Sequence, residues 1–262
     1  MTAGGEPRIV VLPDPDGVAD AAAELIAAAL CAAAGARGRA DWATTGGSAP
    51  SAIYRRLVSP PLRDEVPWPD VHVWWGDDRF VRRTDALSNV LPADRELLDR
   101  VPIQGRNVHP VPVDAALDGS HDAAWAAEAY ERELRDADLP VMGGWPVFDL
   151  VLIGIGPDGH LLSVFPGSAA LDEPAAWMLP IPAPTHVEPH VERVTLNPRV
   201  LDVAGHILVV VHGESKAQIL GKVLGTERDA TRLPAQLARR AGTTWLLDEA
   251  AAAALPAGPR GP

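Results

Sequence analysis

Short apolar runs alternate along this chain with longer stretches in which apolar side chains recur every three or four residues. The run "RIVVLP" (8–13) reads as a strand, and "GVADAAAELIAAALCAAA" (17–34) as an alanine-rich helix offering Leu25, Ile26 and Leu30 to a core. "ADWATTGG" gives a second strand closed by a glycine turn, and "PSAIYRRLV" (50–58) a helix with Pro50 at a tolerated first position. "VHVWW" (71–75) is a third strand, while "SNVLPADRELLD" (88–99) and "AAWAAEAYERELRDA" (123–137) have helical spacing. "FDLVLIGI" (148–155) is apolar almost throughout, as in a parallel strand covered on both faces. "RVTLN" (193–197), "HILVVVHG" (206–213), a helix over "ESKAQILGKVL" (214–224) and "TTWLLD" (243–248) complete the series. This alternation predicts an α/β fold, with a mainly parallel sheet between helical layers in a three-layer αβα, Rossmann-like arrangement.

The remaining stretches set the boundaries. There is no repeat of fixed period and no long linker. The proline-rich stretches 58–69 and 178–189 read as loops over the sheet. A single domain over 8–255 is expected, between a disordered N-terminus (1–7) and a disordered tail (256–262). No apolar run reaches the ~18 to 20 residues needed to span a bilayer, and "MTAGGEP" lacks the basic start of a secretory signal. A cytoplasmic protein without a membrane partner is therefore expected. The formal charge of -12 argues against a nucleic-acid partner, which calls for a basic surface. It leaves room for a small anionic substrate if a few cations are focused in one cleft. The single Cys31 excludes an internal disulfide framework and a cysteine-rich zinc site, and reads as a small buried filler.

In such folds ligands bind beyond the carboxyl ends of the strands. Four polar, glycine-rich exits occur there: "TTGGSAP" (44–50), "GDDRF" (76–80), "GIGPDGH" (154–160) and "HGESK" (212–216). The third has the G-x-G-x-x-G spacing of a dinucleotide-binding turn. However, Pro157 interrupts it, the following "HLLSVFPG" stops after barely two turns, and Asp172 and Glu173 do not end a strand. It reads instead as a turn presenting Asp158 and His160, the alternative being a plain connecting turn. Gly46, Gly47 and Ser48 at a helix start suit an anion, although a simple tight turn would look the same. Arg79 can fork onto a phosphate, and Asp77 or Asp78 can orient a histidine or bind sugar hydroxyls. Adjacent residues point apart, so the two acids do not form a matched pair. Lys216 in the first turn of a helix opposes the dipole unless an anion lies there. His186 and His190 have the spacing of metal ligands, but Pro189 spoils a helical pair, so no metal site is expected there. The eight tryptophans are scattered and read as core, and no G-x-S-x-G supplies an esterase serine.

In order, GGS-x-P, D-[ED]-R-x-V, SN, GxGxDGH-x-x-S-x-FPG, RVTL and G-x-x-K resemble the 6-phosphogluconolactonases. Their superfamily also holds glucosamine-6-phosphate deaminase and ribose-5-phosphate isomerase. The resemblance runs from about residue 9 to 255. It implies a sugar-phosphate isomerase-like fold and a carboxylic ester hydrolase of the oxidative pentose phosphate pathway. Such an enzyme opens 6-phospho-D-glucono-1,5-lactone to 6-phosphogluconate without metal or cofactor. It further implies His160 as general base. Acid–base sites generally need a group that fixes the imidazole tautomer, and the neighbouring carboxylate Asp158 or Asp77 is expected to do so. Gly46, Gly47, Ser48, Arg79 and Lys216 would lie on the phosphate side, and Arg193 would reach the same site. The expected partner is a phosphorylated sugar lactone, bound by a monomer or weak homodimer. Three positions depart from the pattern: Ala49 replaces the usual Thr, Asp78 the usual Glu, and "HLLSVF" a smaller H-T-A-S-L-F. Glucosamine-6-phosphate deaminase is the alternative enzyme, but its F-N-E-P-G glutamate is missing from Ser163–Gly167. A sugar-phosphate sensor without catalysis is the other alternative.

Overall fold

The computed structural model describes residues 5–255; the expected tail 256–262 and the first four residues of the expected disordered N-terminus lie outside the described residues. Seven strands form one sheet: β1 (Arg8–Leu12), β2 (Ala40–Thr44), β3 (Val71–Trp75), β5 (Val108–His109), β8 (Leu150–Ile153), β11 (His206–Val211) and β12 (Thr243–Asp248). Their spatial order is β1-β12-β11-β8-β2-β3-β5, and every pairing is parallel. The order reverses between β8 and β2, and in open parallel sheets that crevice is where ligands bind. Loops 154–160 and 44–50 leave the sheet at this point.

Helices α1 (Pro15–Arg37), α2 (Ser48–Leu57), α3 (Leu62–Glu65), α4 (Val90–Glu96), α5 (Val113–Asp118), α6 (Ala123–Asp136) and α7 (Ala217–Val223) surround the sheet. The ends of α1 follow from local chemistry. Asp14 caps it by accepting from the Gly17 N–H at 2.8 Å, and Gly38 closes it at φ 71°. By length and composition α1 could cross a bilayer, which corrects the expectation that no stretch would qualify. In the fold it buries Val18, Ala22, Ile26 and Leu30 and packs on β2, β12 and α2. Trp42, Trp68, Trp74, Trp75 and Trp245 are fully buried, and the other three tryptophans pack on or in the same core.

A second, antiparallel sheet orders β4 (Asp77–Arg79), β10 (Arg193–Leu196) and β9 (Met178–Ile181). Two expectations are corrected here. "GDDRF" is a strand rather than a loop exit, with Arg79 opposite Arg193 in register, and 178–181 is a strand rather than part of a proline-rich loop. A small hairpin joins β6 (Val141–Met142) to β7 (Trp145–Pro146). Helical bounds shift as well. The 88–99 segment is α4 followed by a 3-10 turn, and 214–224 begins with the 3-10 turn Glu214–Lys216. Lys216 therefore precedes α7 instead of lying in its first turn.

Candidate active site

The turn after β8 is shaped around an imidazole. Gly156 N–H donates to the His160 carbonyl at 2.8 Å and Gly159 N–H to the Gly156 carbonyl at 3.1 Å. A Cβ on Gly156 would lie 2.0 Å from the His160 ring, so only glycine allows this approach. Gly159 has φ +86°, in the left-handed region. The glycine spacing thus seats a histidine. No helix follows: Leu161 and Val164 form an isolated bridge, and Leu162 adopts φ 52°.

Asp158 Oδ1 lies 2.6 Å from His160 Nδ1, and Oδ2 lies 2.9 Å from His186 Nε2. Burial favours the neutral acid, but the hydrogen bond and charge of His160, joined by His186, outweigh it and hold this carboxyl well below the usual range. With a carboxylate on Nδ1, the imidazole keeps its proton there and leaves Nε2 as the acceptor. Nε2 has no hydrogen-bond partner among the described residues. The ring packs at 4.6 Å on Phe165.

Asp77 and Asp78 face opposite sides of β4. Asp77, 4% exposed, accepts from Ser163 Oγ at 2.6 Å and Thr45 Oγ1 at 3.2 Å, and its carbonyl accepts from Asn89 Nδ2 at 2.8 Å. Of the two acids proposed to orient His160, Asp158 is the one bonded to it. Asp78 accepts from the N–H of Arg79 at 2.8 Å and of Asn89 at 2.7 Å, and from Ser88 Oγ at 3.2 Å. Burial pushes its carboxyl up to about 7, against these backbone donors.

A cleft of about 260 Å³ brings the sequence candidates together: Gly46, Gly47, Asp77, Arg79, His160, Arg193 and Lys216 all line it. Asp158 stands behind His160. Ser48 opens α2 by its backbone, and its side chain lies outside the described residues. Gly47 at φ 108° precedes α2 without a side-chain cap, leaving the first N–H groups of that helix to a ligand. Arg79 Nη1 donates to the Leu87 carbonyl at 2.8 Å and Arg193 Nη2 to the Pro189 carbonyl at 3.1 Å. The Nε groups of both arginines are buried without a partner. Lys216 Nζ donates to the Ile155 carbonyl at 2.8 Å. Burial lowers the pKa of Arg193 and Lys216, with the Asp158 charge opposing it in both. An anion in the cleft would offset that penalty. Among the described residues no three His, Cys, Asp or Glu side chains converge as metal ligands.

Asn89 and Thr45 also line the cleft, and Ser163, fully buried, supports Asp77 from behind; the sequence alone assigns these three no role. Asn89 and Ser163 lie inside the quoted SN and DGH-x-x-S patterns, which was the available signal. The Asp77 carbonyl can only take the amide NH2 of Asn89, so Oδ1 is fixed as an acceptor. That oxygen is buried without a partner, and a Cβ on Gly46 would lie 1.8 Å from it. His186, to which the sequence assigns no role, stands on Asp158.

The family described as glucosamine-6-phosphate isomerases/6-phosphogluconolactonase matches residues 13–246. The 6-phosphogluconolactonase of Streptomyces coelicolor is 34% identical over 256 residues, 95% of each chain. That of Mycobacterium tuberculosis is 34% identical over 250 residues, 95% of this chain and 98% of the relative. The solved structure of 6-phosphogluconolactonase from Trypanosoma brucei superposes with TM-score 0.82 at 28% identity, covering 97% of this chain and 100% of that one. A monomeric glucosamine-6-phosphate deaminase shares the fold at TM-score 0.74 and 17% identity. The motifs in the cleft, the sheet that carries them and these likenesses agree, and the chain belongs to the glucosamine-6-phosphate isomerase/6-phosphogluconolactonase family.

Proposed function

We propose that this protein hydrolyses 6-phospho-D-glucono-1,5-lactone to 6-phosphogluconate, in the cytoplasm and as a step of the oxidative pentose phosphate pathway. The observation that carries the reading is a histidine whose Nδ1 is bonded to a carboxylate, standing in a cleft with three cationic side chains. His160 Nε2 takes a proton from water as the water oxygen attacks C1. The carbonyl oxygen gains charge, and the unspent Nε donors of Arg79 and Arg193 are suited to stabilising anionic oxygens of the substrate. The C1–ring oxygen bond then breaks, and the imidazolium returns its proton to the leaving oxygen. Asp158 holds the tautomer and stabilises the imidazolium. The phosphate rests on Gly46, Gly47 and the start of α2 with Arg79 and Lys216, and its binding orients the lactone. Asn89 Oδ1 accepts from a substrate hydroxyl.

Comparing the phosphorylated lactone with plain glucono-1,5-lactone tests the phosphate side. Charge-assisted hydrogen bonds worth ~1.5–3 kcal/mol each lead us to expect kcat/KM about 10²-fold or more higher for the phosphorylated substrate. Equal values would remove the phosphate from recognition.

A further inference from the structure

Asp158 is held from two sides, and only one of them is accounted for by the reaction. His160 takes Oδ1, while His186 reaches Oδ2 at 2.9 Å from the segment between β9 and β10. That segment, 182–192, runs along the cleft. Val187 and Glu188 line the cavity, and the Pro189 carbonyl takes a hydrogen bond from Arg193. The two imidazoles also share an apolar support. Phe165 packs on His160 at 4.6 Å and meets His186 edge-on at 5.7 Å, 79° between the planes. Arg193 lies over the same ring at 5.2 Å. His186 is half exposed at its side chain, whereas Asp158 is 16% exposed.

We infer that His186 is a positioning residue for the proposed lactone hydrolysis: by binding the second oxygen of Asp158 it fixes the carboxylate that orients His160, and it ties the 182–192 segment to the catalytic turn. The reasoning is geometric. His160 holds only Oδ1, through Nδ1 and its backbone N–H at 3.2 Å, and the last torsion of Asp is broad, so the position of Oδ2 is left soft. A donor on the other oxygen removes that freedom, so the imidazole is presented in one orientation. Supporting partners of this kind keep an acid–base group within the narrow tolerance that the chemistry demands. The same bond holds the wall that Val187 and Glu188 give the cleft.

The inference rests on the lactonase reading, so its test has two readouts. In turnover, His186→Ala should lower kcat about 3- to 10-fold with KM changed less than about twofold, the scale of one lost hydrogen bond to a charged group. His186→Gln keeps an N–H donor at about the same reach and should recover most of that loss. In proton NMR of the unliganded protein, the His160 Nδ1 proton in its bond to Asp158 should give a downfield signal. That signal should shift or broaden in His186→Ala and return toward its original position in His186→Gln. The NMR result does not depend on the substrate, so it tests the clamp even if the lactone is not turned over. An unchanged His160 signal in His186→Ala overturns the inference. So does an unchanged kcat where the parent enzyme is active, or a glutamine variant as impaired as the alanine one in both readouts.

Discussion

Among single residues, the group proposed to react, His160, is distinct from the groups that hold the substrate. His160→Ala deletes the proposed base while leaving Gly46, Gly47, Arg79 and Lys216 in the cleft. General base catalysis typically contributes about 10²–10⁴-fold, so kcat should fall by that much with KM nearly unchanged. Steady-state kinetics at near-neutral pH check this, and an unchanged kcat would remove His160 from the mechanism. Gly156→Ala makes a sharper case, because its new Cβ would meet the imidazole at 2.0 Å. The ring must move, and a misplacement of about 1 Å can cost 10²-fold, so a comparable loss of turnover is expected. The unfolding midpoint should change far less than turnover, and a variant as active as the parent would refute the close-approach argument. The glycines and histidine of this site are legible in the sequence because they follow apolar strands, and Arg79 because it sits in a polar break of the apolar pattern, although it lies in a strand. The sequence offers two acids as the partner of His160, and only the fold shows that Asp77 turns to Ser163 and Thr45. His186 was unreadable for a similar reason: its meeting with Asp158 depends on how 182–192 packs across Phe165.

At the scale of elements, β4 and β10 place Arg79 opposite Arg193, each with a buried and unpartnered Nε. The charge of Arg79 acts against that of Arg193, Asp77 and Asp158 offset it, and a bound anion would offset it further. Arg79→Ala should therefore raise KM for the phosphorylated lactone more than it lowers kcat, and Arg79→Lys should restore little of the loss, since an ammonium cannot reproduce the planar fork. Normal saturation by substrate in Arg79→Ala would sink this role. The start of β2 carries a different load. Asp41, fully buried, binds Arg37 and Arg39 and accepts from Trp74 Nε1 at 3.0 Å. Burial opposes its charge, but the two arginines keep the carboxyl ionised and its pKa lowered. Asp41→Ala leaves Arg39 and Trp74 Nε1 without their partner, while Arg37 keeps Asp149, and should cost about 3 kcal/mol in urea unfolding. A loss below about 1 kcal/mol would mean that the network contributes little. Long apolar strands such as 71–75 and 243–248 were legible to the residue because periodicity alone defines them. β4 and β9 were not. "DDR" is too short and polar, and "MLPI" contains a proline; both are strands only because β10 pairs with them across long chain separations.

At the scale of the whole molecule, the fold concentrates a few cations at one switch point of a chain with formal charge -12. Stability should also carry the imprint of the buried acids. The Asp78 carboxyl, pushed up to about 7, lies above the ordinary value near ~3.9, so the native chain holds its proton more tightly than the unfolded chain does. Its contribution to stability is full below about pH 4 and is lost as pH rises through about 7. Asp158 has the opposite sign: its lowered pKa gives stability above about pH 4 that fades as pH falls further. Urea midpoints of the parent and Asp78→Asn between pH 5 and 8 separate the two, because only the parent should lose stability across that window from this group. Parallel slopes would contradict the buried-acid account.

The central claim is that this cleft opens a phosphorylated lactone by base catalysis at His160. The most direct measurement is the loss of freshly made 6-phosphogluconolactone at near-neutral pH, with parent protein, with His160→Ala and with no protein, since the lactone also opens by itself. A rate well above the blank is expected for the parent and a rate close to the blank for the variant. A parent rate equal to the blank would contradict the lactonase reading, and equal rates above the blank for both proteins would contradict the role of His160.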